Sequence, residues 1–286
     1  MSIQVEKVNY TYLQPSGEKV EALKDVSCSI AAGDFVGIMG HTGCGKTTLI
    51  QLLAGLRAPS SGRIYLNGED INAKGYDKSS LRQKVGVMFQ NPEYQLFATT
   101  VENDVSFGLK YSGLGPREVT ARVKWALETV GFDFEKVRNQ SPLALSGGEK
   151  RRVALAGVIA VRPPILIFDE PIAGLDPYGR ENFLRFAQEM NQAGTTMIMV
   201  SHNMEALAEY TQQLLVLEQG RLLDAGPTRE VFARLQQRKN GVSGQTEAQR
   251  IAAMLAEKDL PLSSGILTYA DLLAALKQEL AGGDRK

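Results

Sequence analysis

The stretch GHTGCGKT at residues 40–47 follows an apolar run over 35–39 and precedes a helical pattern of apolar residues over 49–56. Glycines let consecutive backbone N–H groups turn toward phosphate oxygens, and the N-terminus of the following helix adds partial positive charge. Because strand, loop and helix come in the order that a phosphate-binding loop requires, the stretch predicts a cradle for a nucleoside triphosphate.

The side chains of this loop have different expected roles. Lys46 is expected to reach the β- and γ-phosphates, Thr47 to offer its hydroxyl to Mg²⁺, and Thr48 to face the α-phosphate side. His41 is expected to be an ordinary loop side chain, and Cys44 a small side chain that fits the loop rather than a catalytic thiol. The predicted nucleotide-binding loop consists of Gly40, His41, Thr42, Gly43, Cys44, Gly45, Lys46, Thr47 and Thr48.

The composition limits the possible classes of protein. The chain has 286 residues, enough for one large domain with a small appendage, and its 32 basic and 32 acidic residues argue against a strongly electrostatic nucleic-acid binder. No stretch approaches the ~20 apolar residues that span a bilayer, and the first ten residues lack the apolar core of a signal peptide. We therefore expect a cytosolic protein, or one peripheral to a membrane. Two cysteines give no disulfide framework.

Apolar periodicity and turn residues predict an α/β chain with a helical insertion. A mostly helical segment is expected over about 100–161, with a capping box from Thr99 to Glu102 and a helix opened by Pro116. The strands are expected over 3–12, 22–30, 35–39, 62–66, 165–168 and 196–200, the later helices over 178–193 and 204–210, and a hairpin over 214–223.

The composition shifts after residue 235. Residues 240–245 resemble a linker, and two short helical patterns follow over 248–255 and 269–280. We expect a first unit over 1–235 and a C-terminal helical extension over 236–286. The extension is either a tail folded onto the first unit or a contact and dimerisation surface for another chain.

Two carboxylates follow the predicted strand over 165–168. Asp169 and Glu170 would lie at the carboxyl edge of the sheet, where open α/β sheets bind ligands. Asp169 is expected to orient Mg²⁺ or its waters, and Glu170 to polarise the attacking water. Two solvated acids after a strand are the alternative, and the nearby phosphate loop argues against it.

A second glycine-containing run, Leu145-Ser146-Gly147-Gly148-Glu149, precedes a helix. Ser146 and Glu149 form an S-x-x-E capping box, so a purely structural helix start is one interpretation. The N–H groups of Ser146, Gly147 and Gly148 also form an anion site that lacks a lysine.

These runs resemble the motif set of the ATP-binding cassette (ABC) ATPases. The set also includes, in the family's order, Gln90, Ala173-Gly174-Leu175-Asp176 and Ser201-His202. The resemblance covers residues 1 to about 235. It implies a P-loop NTPase core with an antiparallel β subdomain and a helical subdomain over about 91–161, with ATP and Mg²⁺ as cofactors.

The resemblance also implies roles for individual residues. His202 would contact the γ-phosphate and the attacking water, Gln90 would contact Mg²⁺, and Asp176 would cross a dimer interface. Tyr12 resembles the aromatic residue that stacks on adenine, although Tyr10 could fill that role or pack in the strand.

By the same resemblance, the signature in trans consists of Ser146, Gly147, Gly148 and Glu149, and its anion site at 146–148 would meet the γ-phosphate held by a partner subunit. The family's signature commonly ends in glutamine, whereas this chain has Glu149. One phosphate loop and one signature make half of a pair of composite sites, so two chains are expected to form a head-to-tail dimer.

Several phrases further resemble the energy-coupling factor (ECF) transporter ATPases, including cobalt-type relatives: 40–43, 90–97, 151–154 and the appended helices. His41-Thr42 and residues 93–97 favour the second of the two ATPase types. The resemblance implies a heterodimer with a sister ATPase at the cytoplasmic face of the cell membrane, a membrane coupling protein and a substrate-capturing membrane protein for a vitamin or metal ion. Tyr94, Leu96 and Phe97 would suit a groove for a coupling helix, or ordinary packing.

Two other classes of nucleotide-binding protein fit the sequence less well. A soluble ABC ATPase acting on ribosomes or DNA is the alternative function, but tandem cassettes, a coiled-coil insertion and a basic arm are absent from the sequence. A switch GTPase would need an Asn/Thr-Lys-x-Asp base-reading motif, which the sequence lacks.

Overall fold

The computed structural model describes residues 1–110, 112–238, 244–258, 260, 262 and 265–283. Residues 240–243 of the expected linker lie outside this part of the chain. The strands are Ile3–Leu13 (β1), Lys19–Ile30 (β2), Phe35–Met39 (β3), Ser61–Leu66 (β4), Glu69–Asp70 (β5), Val85–Met88 (β6), Ile165–Asp169 (β7), Thr196–Val200 (β8), Gln213–Glu218 (β9) and Arg221–Pro227 (β10). The helices are Lys46–Leu53 (α1), Lys78–Lys84 (α2), Val101–Ser106 (α3), Pro116–Thr129 (α4), Phe134–Val137 (α5), Gly147–Ala160 (α6), Pro177–Gln192 (α7), Met204–Tyr210 (α8), Thr228–Gln236 (α9), Glu247–Ala256 (α10) and Tyr269–Gly283 (α11). Short 3₁₀ helices cover Pro92–Gln95, Phe107–Leu109 and Pro142–Ala144.

The strands form two sheets. A six-stranded sheet has the order β10-β9-β3-β8-β7-β6, parallel except for the β9/β10 hairpin, and a four-stranded antiparallel sheet has the order β2-β1-β4-β5. Strands β3, β7 and β8 are buried along their whole length, which explains their nearly continuous apolar sequences. The mixed α/β prediction with an antiparallel sheet is confirmed.

Helix α1 lies between the two sheets. Its Leu49, Ile50 and Leu52 are fully buried and share a core with inward residues of β1, β2 and β4. A second core lies on the other face of the six-stranded sheet, where the helices between residues 101 and 160 pack together with α7, α8 and α9. This packing fixes the loop before α1 and the ends of β7 and β8 relative to one another.

The helical insertion forms as expected, with one local correction. Pro116 opens α4 as predicted, but α3 is capped by Thr100, whose hydroxyl accepts a hydrogen bond from the Asn103 N–H at 3.3 Å. The predicted capping box from Thr99 to Glu102 is wrong. Glu102 instead accepts a hydrogen bond from Nε of Arg138 at 3.0 Å and forms an ion pair with its Nη2 at 2.8 Å, a partner that local sequence does not reveal.

The two C-terminal helices pack against each other and against the rest of the protein. The Arg229 guanidinium donates to both carboxylate oxygens of Asp271 at 3.0 Å, and Leu267 is buried in the main core. The Thr246 hydroxyl caps α10 and donates to the carbonyl oxygen of Leu267 at 2.7 Å. These contacts fasten the extension to α9.

The three apolar residues after Gln90 have different environments. Leu96 is only 8% exposed and belongs to the main core, whereas Tyr94 is 83% and Phe97 64% exposed. The Phe97 ring stacks edge-on against Phe107, with centroids 4.8 Å apart. Packing therefore explains Leu96, and an exposed aromatic patch of Tyr94, Phe97 and Phe107 remains.

Within the described residues, no helix is both long enough and apolar enough to cross a membrane.

Candidate nucleotide-binding site

The loop between β3 and α1 is pressed against neighbouring backbone. Gly40 (φ 150°) and Gly45 (φ 108°) both have the positive φ values that favour glycine. A Cβ on Gly40 would overlap the carbonyl oxygen of Leu217, and one on Gly45 would lie 2.6 Å from the carbonyl oxygen of Ala22. Only glycine fits these positions, so the loop forms a preformed cradle of main-chain groups.

The Lys46 ammonium lies inside the curve of this loop. It donates to the carbonyl oxygens of Gly40 at 2.7 Å and His41 at 2.9 Å, and the residue is only 7% exposed. A cation held here adds to the N–H groups at the start of α1, so the cradle suits a polyanion. The His41 ring is exposed and its Nδ1 lies 2.9 Å from the carbonyl oxygen of Thr42, which agrees with an ordinary loop side chain.

The phosphate loop and the end of β7 meet at one hydrogen bond. The Thr47 hydroxyl donates to Oδ2 of Asp169 at 3.1 Å. Burial raises the pKa of Asp169, while the Thr47 hydrogen bond and the positive charge of Lys46 act in the opposite direction. A hydroxyl and a carboxylate are hard oxygen ligands of the kind that Mg²⁺ prefers.

The protein residues alone would not complete a metal site. Among the described residues, no group of three or more His, Cys, Asp and Glu side chains could hold a metal ion. Because Mg²⁺ usually keeps water and phosphate oxygens as ligands, the pair Thr47 and Asp169 fits a metal that arrives with a nucleotide.

Glu170 has a buried carboxylate with one unpaired oxygen. The residue is 9% exposed, and its Oε2 accepts a hydrogen bond from the His202 backbone N–H at 3.4 Å. Oε1 is buried without a hydrogen bond, although Nε2 of His202 lies 3.3 Å away. Burial raises the pKa of Glu170, and the nearby His202 opposes that shift.

Tyr12, not Tyr10, contacts the phosphate-loop helix. The Tyr12 hydroxyl lies 3.1 Å from Oγ1 of Thr48, whereas the Tyr10 hydroxyl accepts a hydrogen bond from Arg57 at 2.9 Å. The two rings meet edge-on with centroids 4.9 Å apart. Tyr12 therefore lies beside the phosphate-loop helix, and Tyr10 packs against it.

Gln90 leaves the sheet at the same edge as Asp169. Strands β6 and β7 are parallel, with Met88 opposite Phe168, so both residues follow the carboxyl ends of neighbouring strands. Gln90 is exposed, and it precedes the residues Tyr94 and Phe97 of the aromatic patch along the chain.

The signature run forms a reciprocal cap at the start of α6. The Ser146 hydroxyl accepts from the Glu149 N–H at 3.4 Å, and the Ser146 N–H and hydroxyl donate to Oε2 of Glu149 at 2.9 and 2.6 Å. These hydrogen bonds lower the pKa of Glu149. The capping interpretation is confirmed, and it leaves Ser146, Gly147 and Gly148 exposed, so an external anion can reach the helix N-terminus.

Asp176 caps α7, because its Oδ1 accepts a hydrogen bond from the Gly179 N–H at 2.7 Å. Sequence reasoning missed the contacts of Arg151, whose guanidinium donates to the carbonyl oxygens of Glu170 and Ala173. A side chain that binds backbone some twenty residues away leaves no local sequence pattern.

A scan against protein-family models and a search of solved structures agree with this geometry. Residues 23–173 match the family described as ABC transporter. The structure of cbiO1 from Clostridium perfringens, described as part of the ABC transporter complex cbiONQ, is 36% identical with a TM-score of 0.70 and covers 82% of this chain and 93% of that chain. The dimeric post-hydrolysis structure of the ATP-binding cassette MJ0796, bound to ADP and Pi, is 28% identical with a TM-score of 0.71 and covers 79% of this chain and 98% of that chain.

Relatives are similar over nearly the whole chain. The energy-coupling factor transporter ATP-binding protein EcfA2 of Clostridium tetani is 41% identical over 94% of this chain and 93% of its own length. EcfA2 of Acetivibrio thermocellus is 40% identical over 100% of both chains. The similarity therefore includes the C-terminal extension.

Proposed function

Because the chain belongs to the ABC transporter family, as an ATP-binding protein of the energy-coupling factor type, we propose that its phosphate loop holds Mg-ATP against the signature of a second ATPase chain. The chain binds and hydrolyses ATP, and this hydrolysis drives import through a transporter complex in the membrane. The relatives give no support to the alternative of a soluble ATPase acting on ribosomes or DNA.

The observation that carries the assignment of the site is the hydrogen bond between Thr47 and Asp169. It joins the cradle for the phosphates to the strand end that carries Glu170, so binding and hydrolysis groups occupy one place. Lys46 lies on the cradle side of the same site.

The proposed mechanism assigns one task to each side chain. Lys46 exchanges its two carbonyl partners for β- and γ-phosphate oxygens, and Tyr12 stacks on the adenine. Thr47, Asp169 and Gln90 would hold Mg²⁺, which when bound neutralises phosphate charge. Glu170 accepts a proton from the attacking water at Oε1, and His202 orients that water beside the γ-phosphate.

The signature is proposed to act in trans. Ser146, Gly147 and Gly148 present exposed N–H groups at the start of α6, where a γ-phosphate held by another chain would complete the anion site. Glu149 keeps Ser146 in place through the cap, and Asp176 would lie at the same dimer interface. ATP then stabilises the closed dimer, and hydrolysis opens it.

We further propose the arrangement of the complex. The partner ATPase is a sister chain, giving a heterodimer at the cytoplasmic face of the cell membrane, and the aromatic patch of Tyr94, Phe97 and Phe107 receives a helix of the coupling protein. Residues 1–235 form the nucleotide-binding domain, with its helical subdomain over about 91–161, and the extension 236–286 contributes a second contact between the ATPases. A substrate-capturing membrane protein would select a vitamin or metal ion.

Purification and one substitution test this proposal. The tagged chain, extracted in detergent, is expected to retain membrane proteins and a second ATPase, and the complex should hydrolyse ATP faster than the isolated chain. Glu170→Gln should lower turnover of the complex by roughly 10²–10⁴-fold at this site while ATP binding is unchanged. Recovery with ribosomes and no membrane protein, or full turnover of the Gln variant, would contradict the proposal.

A further inference from the structure

The guanidinium of Arg151 connects the signature helix with the loop that carries Glu170. Nη1 donates to the carbonyl oxygen of Ala173 at 3.0 Å, and Nη2 donates to those of Glu170 at 3.1 Å and Pro171. Arg151 lies in the second turn of α6, which begins after Ser146. One side chain therefore binds three of the four successive carbonyl groups over 170–173.

The backbone of Glu170 needs such support. Its φ of 51° lies in the left-handed region, which is unfavourable for a residue with a side chain and persists only when the surroundings hold it. Its N–H donates to the carbonyl oxygen of Val200 at 3.0 Å. Its carbonyl oxygen accepts from Arg151 and, at 3.3 Å, from the Ala173 N–H.

This backbone conformation decides where the carboxylate points. The left-handed turn directs the Glu170 side chain toward His202. The backbone N–H of His202 donates to Oε2 of Glu170, and Nε2 of the His202 ring lies 3.3 Å from Oε1. A rotation of the 170–173 loop would move Oε1 away from the position where a water must lie. The carbonyl contacts of Arg151 oppose this rotation, because three hydrogen bonds from one planar group must be broken together.

The surroundings of Arg151 keep its guanidinium in this position. The residue is partly buried, and α6 packs against the 3₁₀ turn Pro92–Gln95 that follows Gln90. Burial lowers the pKa of Arg151, and the negative charge of Glu93 on that turn opposes the shift. A guanidinium retains its charge in such an environment, so its hydrogen bonds remain charge-assisted.

We propose that Arg151 is a positioning residue for hydrolysis: through the carbonyl groups over 170–173 it holds Glu170 in the conformation that aims its carboxylate at the attacking water. This inference rests on the proposed role of Glu170 as the proton acceptor. It predicts an effect of Arg151 on the chemical step and none on ATP binding.

The test uses the complex purified with its natural partners, carrying Arg151→Ala, Arg151→Lys or the control Arg122→Ala. Arg122 also donates to backbone carbonyl groups, those of Ala160 and Val161, but at the opposite end of the same helix. We expect kcat to fall by about 10- to 100-fold in Arg151→Ala, toward the rate of Glu170→Gln, with KM and ATP affinity within about twofold of wild type. Arg151→Lys should lie between the two, since an ammonium lacks the planar fork.

A double variant separates positioning from general stability. Added to Glu170→Gln, the Arg151→Ala change is expected to lower turnover by less than about twofold, because the group that Arg151 positions is already absent. The inference is overturned if Arg151→Ala and Arg151→Lys keep the wild-type kcat, if kcat and ATP affinity fall together, or if the loss is equally large in the Glu170→Gln background. Should Arg151→Ala fail to assemble, Arg151→Lys carries the same comparisons. Full turnover of Glu170→Gln alone would instead refute the proposed function.

Discussion

Glu170 combines a buried carboxylate, a left-handed backbone and an oxygen without a hydrogen bond. Each of these features is unfavourable for folding, and in the proposed mechanism they would together keep a proton acceptor next to the phosphate cradle.

Because burying this carboxylate is unfavourable, we expect the effect of Glu170 on protein stability to depend on pH. The pKa of Glu170 in the folded protein is raised above its ordinary value of 4.5. At a pH between the ordinary and the raised pKa, the folded state binds more protons than the unfolded state, so stability decreases as the pH rises. Glu170→Gln removes the buried charge. Its melting temperature is therefore expected to equal that of wild type below pH 4.5 and to exceed it at pH 7, measured by calorimetry in matched buffers. A variant that is less stable than wild type at pH 7 would contradict this view.

The raised pKa also predicts the acid limb of activity. Glu170 must be ionised to accept a proton, so kcat of the complex should decline on acidification at a pH above the ordinary value of 4.5. A pH profile of kcat checks this prediction, and a profile that stays flat down to pH 4.5 would be inconsistent with it.

Substitution of Lys46 is expected to weaken ATP binding and not only to slow hydrolysis. Lys46→Ala removes the cation nearest the phosphates, and ATP binding to the isolated chain is expected to weaken by about 10- to 100-fold, measured by calorimetric titration. Lys78→Ala is a suitable control, since its ammonium also donates to a backbone carbonyl, that of Ile71 at 2.7 Å, outside the site. Equal effects of the two changes would refute the specific role of Lys46.

At the scale of elements, α6 serves two sites from its two sides. Its N-terminus presents Ser146 and Gly147 to solvent, and Arg151 in the following turn holds the loop of Glu170. A movement of this helix would therefore displace both the proposed hydrolysis site of the chain and the proposed interface with a second ATPase.

Ser146→Arg separates these two sites. An arginine at the helix start would block the approach of a phosphate from another chain, so turnover of the complex should fall at least about 100-fold while the isolated chain binds ATP as wild type does. The change also removes an N-cap, and Thr100→Ala controls for this because it removes the cap of α3. Loss of ATP binding in the isolated Ser146→Arg chain would show that the run is only a local scaffold.

Much of the element order could be predicted because the signals are local. Strand β8 and helix α8 have the predicted bounds, and in the structure Asn203 caps α8. Strand β5 and helix α2 were not predicted: β5 has only 2 residues, and Leu81 is the one buried residue of α2, so neither has a repeating apolar pattern. The contacts of Glu102 and Arg151 were missed for a different reason: their partners lie 36 and about 20 residues away and are brought together only by tertiary packing.

The extension is held against the rest of the protein by buried Leu267 and by polar contacts. Asp271 receives two hydrogen bonds from Arg229 and two more from the N–H groups of Leu267 and Thr268 at 3.1 and 2.8 Å. Burial would raise the pKa of Asp271, but the hydrogen bonds from Arg229 and Thr268 lower it below its ordinary value. The ionised form therefore stabilises the attachment of α11.

Asp271→Asn is expected to loosen the extension without unfolding the core. Amide exchange in α10 and α11 should become about tenfold faster at pH 7, because the charge that binds Arg229 is lost, while exchange in β3 and β8 should not change. Glu257→Gln, an exposed carboxylate of the same extension, is the control. In the wild-type protein the stabilisation should be lost as the pH falls through the lowered pKa of Asp271. Uniformly faster exchange throughout the chain would contradict this local attachment.

In the proposed closed complex, each ATP lies between the phosphate loop of one chain and the signature of another. The most direct measurement is the distance from the Gly147 backbone nitrogen to the nearest γ-phosphate oxygen in a structure of the Glu170→Gln complex closed with Mg-ATP. We expect a hydrogen bond of about 3 Å to the nucleotide bound by the opposite chain. A closed complex in which Gly147 faces bulk water, out of hydrogen-bond reach of every γ-phosphate, would contradict it.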